Sequence, residues 1–208
     1  EMHYRAMAQA QLALDQTDKI VKPLNWATTL NHLANATREY ALHSGDGALL
    51  AKALDYYAQS LLIRNRKDYP LEWAQTQLDY GNALGDYWYG ATADSDSHPA
   101  VQAYLQSLEI RTRKDTPLEW AMSQNNLAVT IIQTLPRIPK VDSAKFSAAL
   151  ERYRLAIEVT GREQSPIDWE LMKSNLGSGL VSYFNETMVE RFETMEREKD
   201  VAMRAQAN

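Results

Sequence analysis

The small and apolar side chains of this chain follow a helical spacing that recurs along its length. From Ala53 to Leu61, a small residue, a tyrosine, a small residue and a leucine stand at i, i+4, i+7 and i+8. These positions share one face of an α-helix, so the pattern predicts amphipathic helices. Two close copies and a fainter one stand at Ala100…Tyr104…Ser107-Leu108, Ala149…Tyr153…Ala156-Ile157 and Ala6…Ala10…Ala13-Leu14.

A second pattern alternates with the first and consists of a proline followed three residues later by a tryptophan. The prolines stand at positions 23, 70, 117 and 166, so successive copies are 47, 47 and 49 residues apart. Proline suits the first position of a helix, where no backbone N–H is needed. A fixed period in this range is typical of a solenoid of stacked helical units. We therefore predict an all-α fold of antiparallel helix pairs.

The same spacing predicts where the helices and the repeat units lie. We expect helices near 1–19, 23–43, 48–66, 70–87, 99–114, 117–135 and 143–161, and a further first helix that begins at Pro166. A single domain over 1–208 would contain repeat units at 1–19 (partial), 23–66, 70–114, 117–161 and 166–206. Residues 186–206 are amphipathic. We expect them to form a closing helix with a polar outer face, the alternative being a continuation of the preceding helix.

Residues that recur at one repeat position are expected to be structural. Each indole of the repeated motif is predicted to be wedged between neighbouring helix pairs; the four are Trp26, Trp73, Trp120 and Trp169. Thr116 and Glu119 have the spacing of a capping box. Arg64 and Arg111 are expected at the ends of second helices, where a cation interacts favourably with the helix dipole.

These motifs resemble the tetratricopeptide repeat. Asn175-Leu176-Gly177 resembles the first-helix element of that family, and Ala149-x3-Tyr153-x2-Ala156 resembles the second-helix element. Arg111-Thr112-Arg113 followed by Pro117-Leu118-Glu119-Trp120-Ala121 is similar to a longer bacterial variant. The period departs from the family, because 47 residues replace the roughly 34 that are usual. The resemblance implies a right-handed α-solenoid whose concave groove binds a protein or peptide.

Composition narrows the classes of partner. The formal net charge is −5, which argues against a nucleic-acid partner, because such proteins usually present a basic face. No apolar run is long enough to span a membrane, and the start of the chain lacks the features of a signal peptide. The chain has no cysteine. We expect a cytoplasmic protein, and because both ends look incomplete, a piece of a longer one.

Motifs for catalysis and cofactor binding do not stand out. The histidines are His3, His32, His43 and His98, and no His-Glu-x-x-His pair occurs. The glycines at 177 and 179 lack the lysine of a phosphate-binding loop. Asp94, Asp96 and His98 lack the glycine and the distal glutamate of a calcium loop. We therefore predict no catalytic, cofactor-binding or metal site.

Two candidate binding surfaces follow from the repeat register. The resemblance implies a groove lined by first-helix residues about one turn apart, and asparagine amides there could grip the backbone of an extended peptide. The groove residues are Thr28, Asn31, Asn35 and Arg38; Gln75, Leu78 and Asn82; Met122, Asn125, Val129 and Ile132; and Leu171, Ser174, Ser178 and Val181. The alternative is that the asparagines only bridge neighbouring helices. Tyr87, Trp88 and Tyr89 do not recur and are the second candidate, as interface anchors, the alternative being that they pack over the end of the neighbouring helix pair.

The sequence therefore predicts a non-catalytic scaffold that binds a protein or peptide. Lysines are missing from the groove positions where carboxylate-binding members of the family carry them, so we expect an internal segment or a folded surface as the partner. The alternatives are a self-associating structural module and a regulatory sensing segment of a larger bacterial multidomain enzyme.

Overall fold

The structure is a computed structural model, and it describes residues 1–88, 96–135, 142–181 and 183–185. Within these ranges the secondary structure is helical, with no strand. The helices are α1 (Met2–Asp15), α2 (Pro23–Ser44), α3 (Gly47–Leu61), α4 (Pro70–Tyr87), α5 (Pro99–Leu108), α6 (Pro117–Thr134) and α7 (Ser143–Thr160). An eighth helix, α8, occupies 166–181, and 183–185 are also helical. The predicted closing helix at 186–206 lies outside the described residues.

Hydrogen bonds between helices show how the chain runs. The Ser60 hydroxyl donates to the Ala27 carbonyl oxygen, and the Tyr57 hydroxyl donates to Asn35. Early residues of α2 therefore meet late residues of α3, so these two helices are antiparallel. Asn31 and Arg38 of α2 bond to residues 79 and 86 of α4, which shows that first helices run parallel to each other. The finer prediction of a right-handed superhelix stays a prediction.

The recurrent face of the second helices forms the core of each pair. Ala53, Tyr57 and Ser60 are fully buried in α3. In α5 the ring of Tyr104 lies so close to α4 that a Cβ on Gly81 would be 2.7 Å from its Cε1 atom. The corresponding hydrogen bonds repeat as well, because Ser107 donates to the Ala74 carbonyl oxygen over 2.8 Å. The second-helix pattern read from the sequence thus describes the packing inside each pair.

First and second helices begin in different ways. Each first helix α2, α4 and α6 has proline in its first turn and no side-chain cap. The second helices α3, α5 and α7 are capped by the side chains of Asp46, His98 and Asp142. The predicted capping box at Thr116 is wrong. Its hydroxyl instead accepts a hydrogen bond from the Thr112 backbone N–H over 3.2 Å in the turn before α6, and it makes no capping bond to the helix.

Second helices α3 and α5 end at Leu61 and Leu108, several residues before the predicted ends. The following residues turn the chain towards the next first helix, and there Arg64 and Arg111 are buried, each 5% exposed. Two residues later, Arg66 and Arg113 point outwards and form ion pairs with Glu109 and Glu158. The two arginines of each segment therefore lie in different environments, one buried and one ion-paired at the surface.

The tryptophans are less deeply inserted than predicted, because all four are only partly buried. Trp120 packs against a small cluster that contains Ala121, Ala156 and Met172. Cations cover the other indoles: Lys19 lies over Trp26, Arg66 over Trp73, and Arg162 and Lys173 over Trp169. A half-buried indole with a cation on its face is stabilised by both contacts.

Candidate functional site

A pocket of about 400 Å³ lies where the first helices meet. It is lined by residues of α2, α4, α6 and α8, with one tyrosine from α5. We call it the amide pocket, because four of its lining side chains are carboxamides. Its lining residues are Arg38, Asn82, Gly85, Asp86, Tyr104, Asn126, Val129, Thr130, Gln133 and Asn175. The pocket thus spans four of the predicted repeat units.

A continuous chain of amide hydrogen bonds crosses this pocket. Asn175 donates to the carbonyl oxygen of Asn125 over 3.2 Å, and Asn125 donates to that of Asn126 over 2.9 Å. Asn126 then donates to Asn82 over 2.9 Å, and the Tyr104 hydroxyl donates to the same Asn82 oxygen. All the amides point the same way, and such chains polarise one another cooperatively. The chain links α4, α6 and α8 through neutral groups.

The other end of the pocket is held by an ion pair. Arg38 Nε lies 2.5 Å from the Asp86 carboxylate, and Arg38 also donates to the more exposed Glu39. Burial raises the pKa of Asp86, because desolvation outweighs the attraction of its one cation. The pKa of Arg38 is also raised: burial works against this, but the attraction of Asp86 and Glu39 together outweighs it. The ion pair therefore stabilises the charged form of Arg38, and it holds α2 next to α4.

A second polar cluster lies on the same helices, towards their N-terminal ends. The carboxylate of Asp79 accepts hydrogen bonds from Asn31 over 2.8 Å and from Gln75 over 2.9 Å. Gln75 in turn accepts a bond from the buried Arg111. Burial lowers the pKa of Arg64 and of Arg111, and the negative charge of Asp79 opposes the effect at both. Asp79 thus joins α2 to α4 and, through Gln75, is connected to Arg111 after α5.

The structure places some of the predicted groove residues away from solvent. Asn31, Leu78 and Asn125 share one repeat position, and all three are buried, at 2%, 3% and 3% exposure. That position faces the neighbouring helix rather than the pocket. Asn31 and Asn125 still act on the site, because they bond to the residues that line it or lie beside it. Leu78 belongs to the apolar core.

Other predicted groove residues do lie at the pocket or on the open face beside it. Arg38, Asn82 and Val129 line the amide pocket. Asn35 and Gln75 are partly buried and form hydrogen bonds within the chain. Asn35 of α2 accepts from Tyr57 of α3, which agrees with the alternative that asparagines bridge neighbouring helices. Thr28 and Ile132 are partly buried, whereas Met122, Leu171, Ser174, Ser178 and Val181 are exposed. The predicted groove residues therefore fall into three groups, which lie in the amide pocket, on the open face beside it and in the buried core.

Sequence reasoning identifies three of the ten lining residues, Arg38, Asn82 and Val129, and misses the other seven. Asp86, Asn126, Gln133 and Asn175 were not selected, although Asn126 and Asn175 each lie one residue after a predicted groove position. One residue turns a helix by about 100°, which separates the buried face from the open one. A usable signal was present, because positions 79, 126 and 175 follow the same 47- and 49-residue spacing and all carry a carboxylate or carboxamide.

The predicted aromatic anchor is exposed at the end of α4. Tyr87 and Trp88 are 46% and 44% exposed, and their rings meet edge to face at 5.8 Å between centroids. They directly follow Asp86 in sequence, so they stand near the charged end of the amide pocket. Tyr89 lies outside the described residues.

Two other kinds of site are absent from the described residues. Within those ranges, no three side chains of His, Cys, Asp or Glu are grouped so that they could hold a metal ion. None of the helices covered by them is at once long and apolar enough to cross a bilayer.

Comparison with known proteins returned no relative. No protein-family model matches the sequence, and no curated protein or solved structure matches it significantly. The resemblance to the tetratricopeptide repeat therefore rests on the motifs of this chain alone.

Proposed function

We propose that this protein is a non-catalytic scaffold that binds a segment of another polypeptide in the amide pocket. In this proposal the helix pairs form a right-handed solenoid of the tetratricopeptide type, and the pocket lies on its concave face. The observation that carries the proposal is the pocket itself, because consecutive first helices each contribute a polar side chain to one shared cavity.

The chemistry of the lining supports a polypeptide ligand. A carboxamide carries both donors and an acceptor, as does each peptide unit of an extended chain. Binding sites generally combine apolar lining with a few placed polar groups, and here Val129 supplies apolar surface next to the amides. The amides are pre-positioned by their mutual bonds, so little side-chain freedom is lost when a ligand binds.

The proposal can be tested by filling the pocket without breaking its hydrogen bonds. Gly85 lines the pocket, and a Cβ added there would meet the nearest atoms only at 3.9–4.0 Å. Gly85→Leu should therefore place a side chain in the cavity while α4 stays folded. Gly177→Leu is the matched control, because Gly177 is a helical glycine on α8 that is exposed and lies outside the pocket.

The experiment is a selection of random twelve-residue peptides displayed on phage against the immobilised chain. We expect peptides that bind the native chain and Gly177→Leu but fail to bind Gly85→Leu, with circular dichroism showing equal helix content. Peptides that bind all three proteins equally would place the binding surface elsewhere. A selection that enriches nothing would count against the scaffold function.

The aromatic pair at the end of α4 suggests that the binding surface extends beyond the pocket. Exposed tryptophan and tyrosine are frequent energetic centres of protein interfaces. We propose that Tyr87 and Trp88 contact the same partner as the pocket. Trp88→Ala should then weaken binding by about 2 kcal/mol and leave the melting temperature nearly unchanged. A large drop in melting temperature would instead assign Trp88 to the fold.

Self-association is a second candidate function, and the exposure of α1 favours it. Ala6 and Ala13 are exposed, whereas Ala53 and Ser60 at the same positions of α3 are fully buried. An open face of this kind could take a helix of a second copy. Light scattering over a range of protein concentrations would show a mass that rises with concentration if this function is real.

A further inference from the structure

We propose that the amide pocket selects an uncharged, extended stretch of its partner, one whose side chains are asparagine, glutamine, serine or threonine, over any acidic or basic stretch. This inference rests on the proposed scaffold function and specifies the chemistry of the partner.

The first argument is the charge of the pocket. Of its ten lining residues, Arg38 and Asp86 are the charged ones, and they bond to each other over 2.5 Å. The remaining polar groups on α4, α6 and α8 are carboxamides and hydroxyls. A ligand carboxylate or ammonium would find the one cation and the one carboxylate of the lining already paired with each other, and the other lining groups neutral. Burying an unpaired charge costs far more than burying a neutral polar group that finds a hydrogen-bond partner.

The second argument is the hydrogen-bonding capacity left at the two ends of the amide chain. Asn82 uses its carbonyl oxygen twice, and its Nδ2 makes no hydrogen bond with the described residues. Asn175 uses its Nδ2, and its carbonyl oxygen has no donor among those residues. The pocket therefore offers a donor at the α4 end and an acceptor at the α8 end. A neutral chain of amides satisfies both, whereas a lone carboxylate only accepts and a lone ammonium only donates.

The test uses three displayed libraries of twelve-residue peptides that differ only in charge. The neutral library contains Asn, Gln, Ser, Thr, Gly and Leu; in the basic and acidic libraries, Lys or Glu replaces Asn and Gln. Each is selected against the native chain, Gly85→Leu and Asn175→Asp. We expect the native chain to enrich only the neutral library, and Gly85→Leu to abolish that enrichment. Asn175→Asp loses the donation to Asn125 but places a carboxylate at the acceptor end, and it should shift enrichment towards the basic library.

Affinities of the best synthetic peptide provide the quantitative test. Its Kd should change less than about twofold between 50 and 500 mM NaCl, since screening acts on charged contacts. Replacing one central Asn or Gln by Lys or by Glu should weaken binding at least about tenfold. Asn175→Asp should recover the Lys peptide and not the Glu peptide, while Asp55→Asn on α3, outside the pocket, should change neither affinity.

The outcomes separate this inference from the proposed function. Enrichment of the basic or acidic library by the native chain, lost in Gly85→Leu, would overturn the neutral selectivity and leave the scaffold function standing. Binding that falls steeply with salt would do the same. If no library shows enrichment that depends on Gly85, both the inference and the proposed site fail.

Discussion

The junctions between first helices differ in chemistry even though they occupy equivalent places in the repeat. Between α2 and α4 the contacts are charged, with Arg38 bound to Asp86 and Asn31 bound to Asp79. Between α4 and α6 the contact is neutral, with Asn126 bound to Asn82. Inside the first two helix pairs, by contrast, the bonds repeat: Tyr57 and Tyr104 each donate to an asparagine 22 residues earlier.

The difference separates two requirements on the chain. Bonds inside a pair set the geometry of the repeat, so the same residue types recur. Bonds between first helices lie beside the amide pocket, and their charge differs from one junction to the next while the helices stay stacked. Breaking the charged junction should therefore cost more free energy of unfolding, and that cost should depend on salt. Breaking the neutral junction should cost less, and that cost should not depend on salt.

The largest expected effect is at the charged junction. Asp86→Ala leaves the partly buried guanidinium of Arg38 without its main partner, and we expect a loss of about 2–3 kcal/mol in the free energy of unfolding. Urea denaturation measures it. The double variant Arg38→Met with Asp86→Met should lose less than Asp86→Ala alone, because no uncompensated charge remains. An equal or larger loss in the double variant would contradict this account.

The neutral junction should be weaker. Asn126→Ala removes the bonds to Asn82 and Asn125, and we expect a loss of about 1–2 kcal/mol in urea denaturation. Repeating both measurements in 1 M NaCl sharpens the comparison. The cost of Asp86→Ala should then shrink, and that of Asn126→Ala should stay the same. If salt changes both costs alike, the junctions do not differ in the way proposed.

Tyrosine hydroxyls test the bonds inside the pairs. Tyr104→Phe removes the bond to Asn82 and should cost about 1 kcal/mol. Tyr153 occupies the same position in α7, but its hydroxyl makes no bond with the described residues, and Val129 stands on α6 at the repeat position of Asn82. Tyr153→Phe should therefore be nearly neutral in thermal unfolding. Equal losses for the two variants would show that the hydroxyls act in some other way.

The smallest effect concerns pH and the helix that carries Tyr104. His98 caps α5 through Nδ1, which accepts from the Ala100 N–H and must be unprotonated to do so. Burial lowers the pKa of His98 in the folded protein, so the unfolded chain binds the proton more tightly. This group's contribution is present above the unfolded pKa of about 6.5 and is lost as pH falls below it. His98→Asn, which keeps a cap, should lose less stability between pH 7 and 5 than the native chain does.

Much of the local structure follows from the sequence because its causes are local. The prolines correctly predict the first residue of α2, α4 and α6, since proline suits the first turn of a helix. The small–tyrosine–small pattern predicts the buried face of α3, α5 and α7, since those side chains lie one above another on the helix surface. The Arg-x-Arg segments show the limit, because Arg64 and Arg66 are alike in sequence and opposite in burial.

Only the tertiary structure decided where the pocket lies. The predicted groove positions Leu78 and Asn125 lie one residue too early in their helices and are buried. The first helices are rotated against the second helices so that Asp79 and Asn126 lie on the open side instead. The amide chain joins residues 44 and 50 positions apart, so no local pattern encodes it. Helix spacing and rotation come from the packing of whole faces. Local preference therefore determines which segments are helices, and packing determines which polar groups meet.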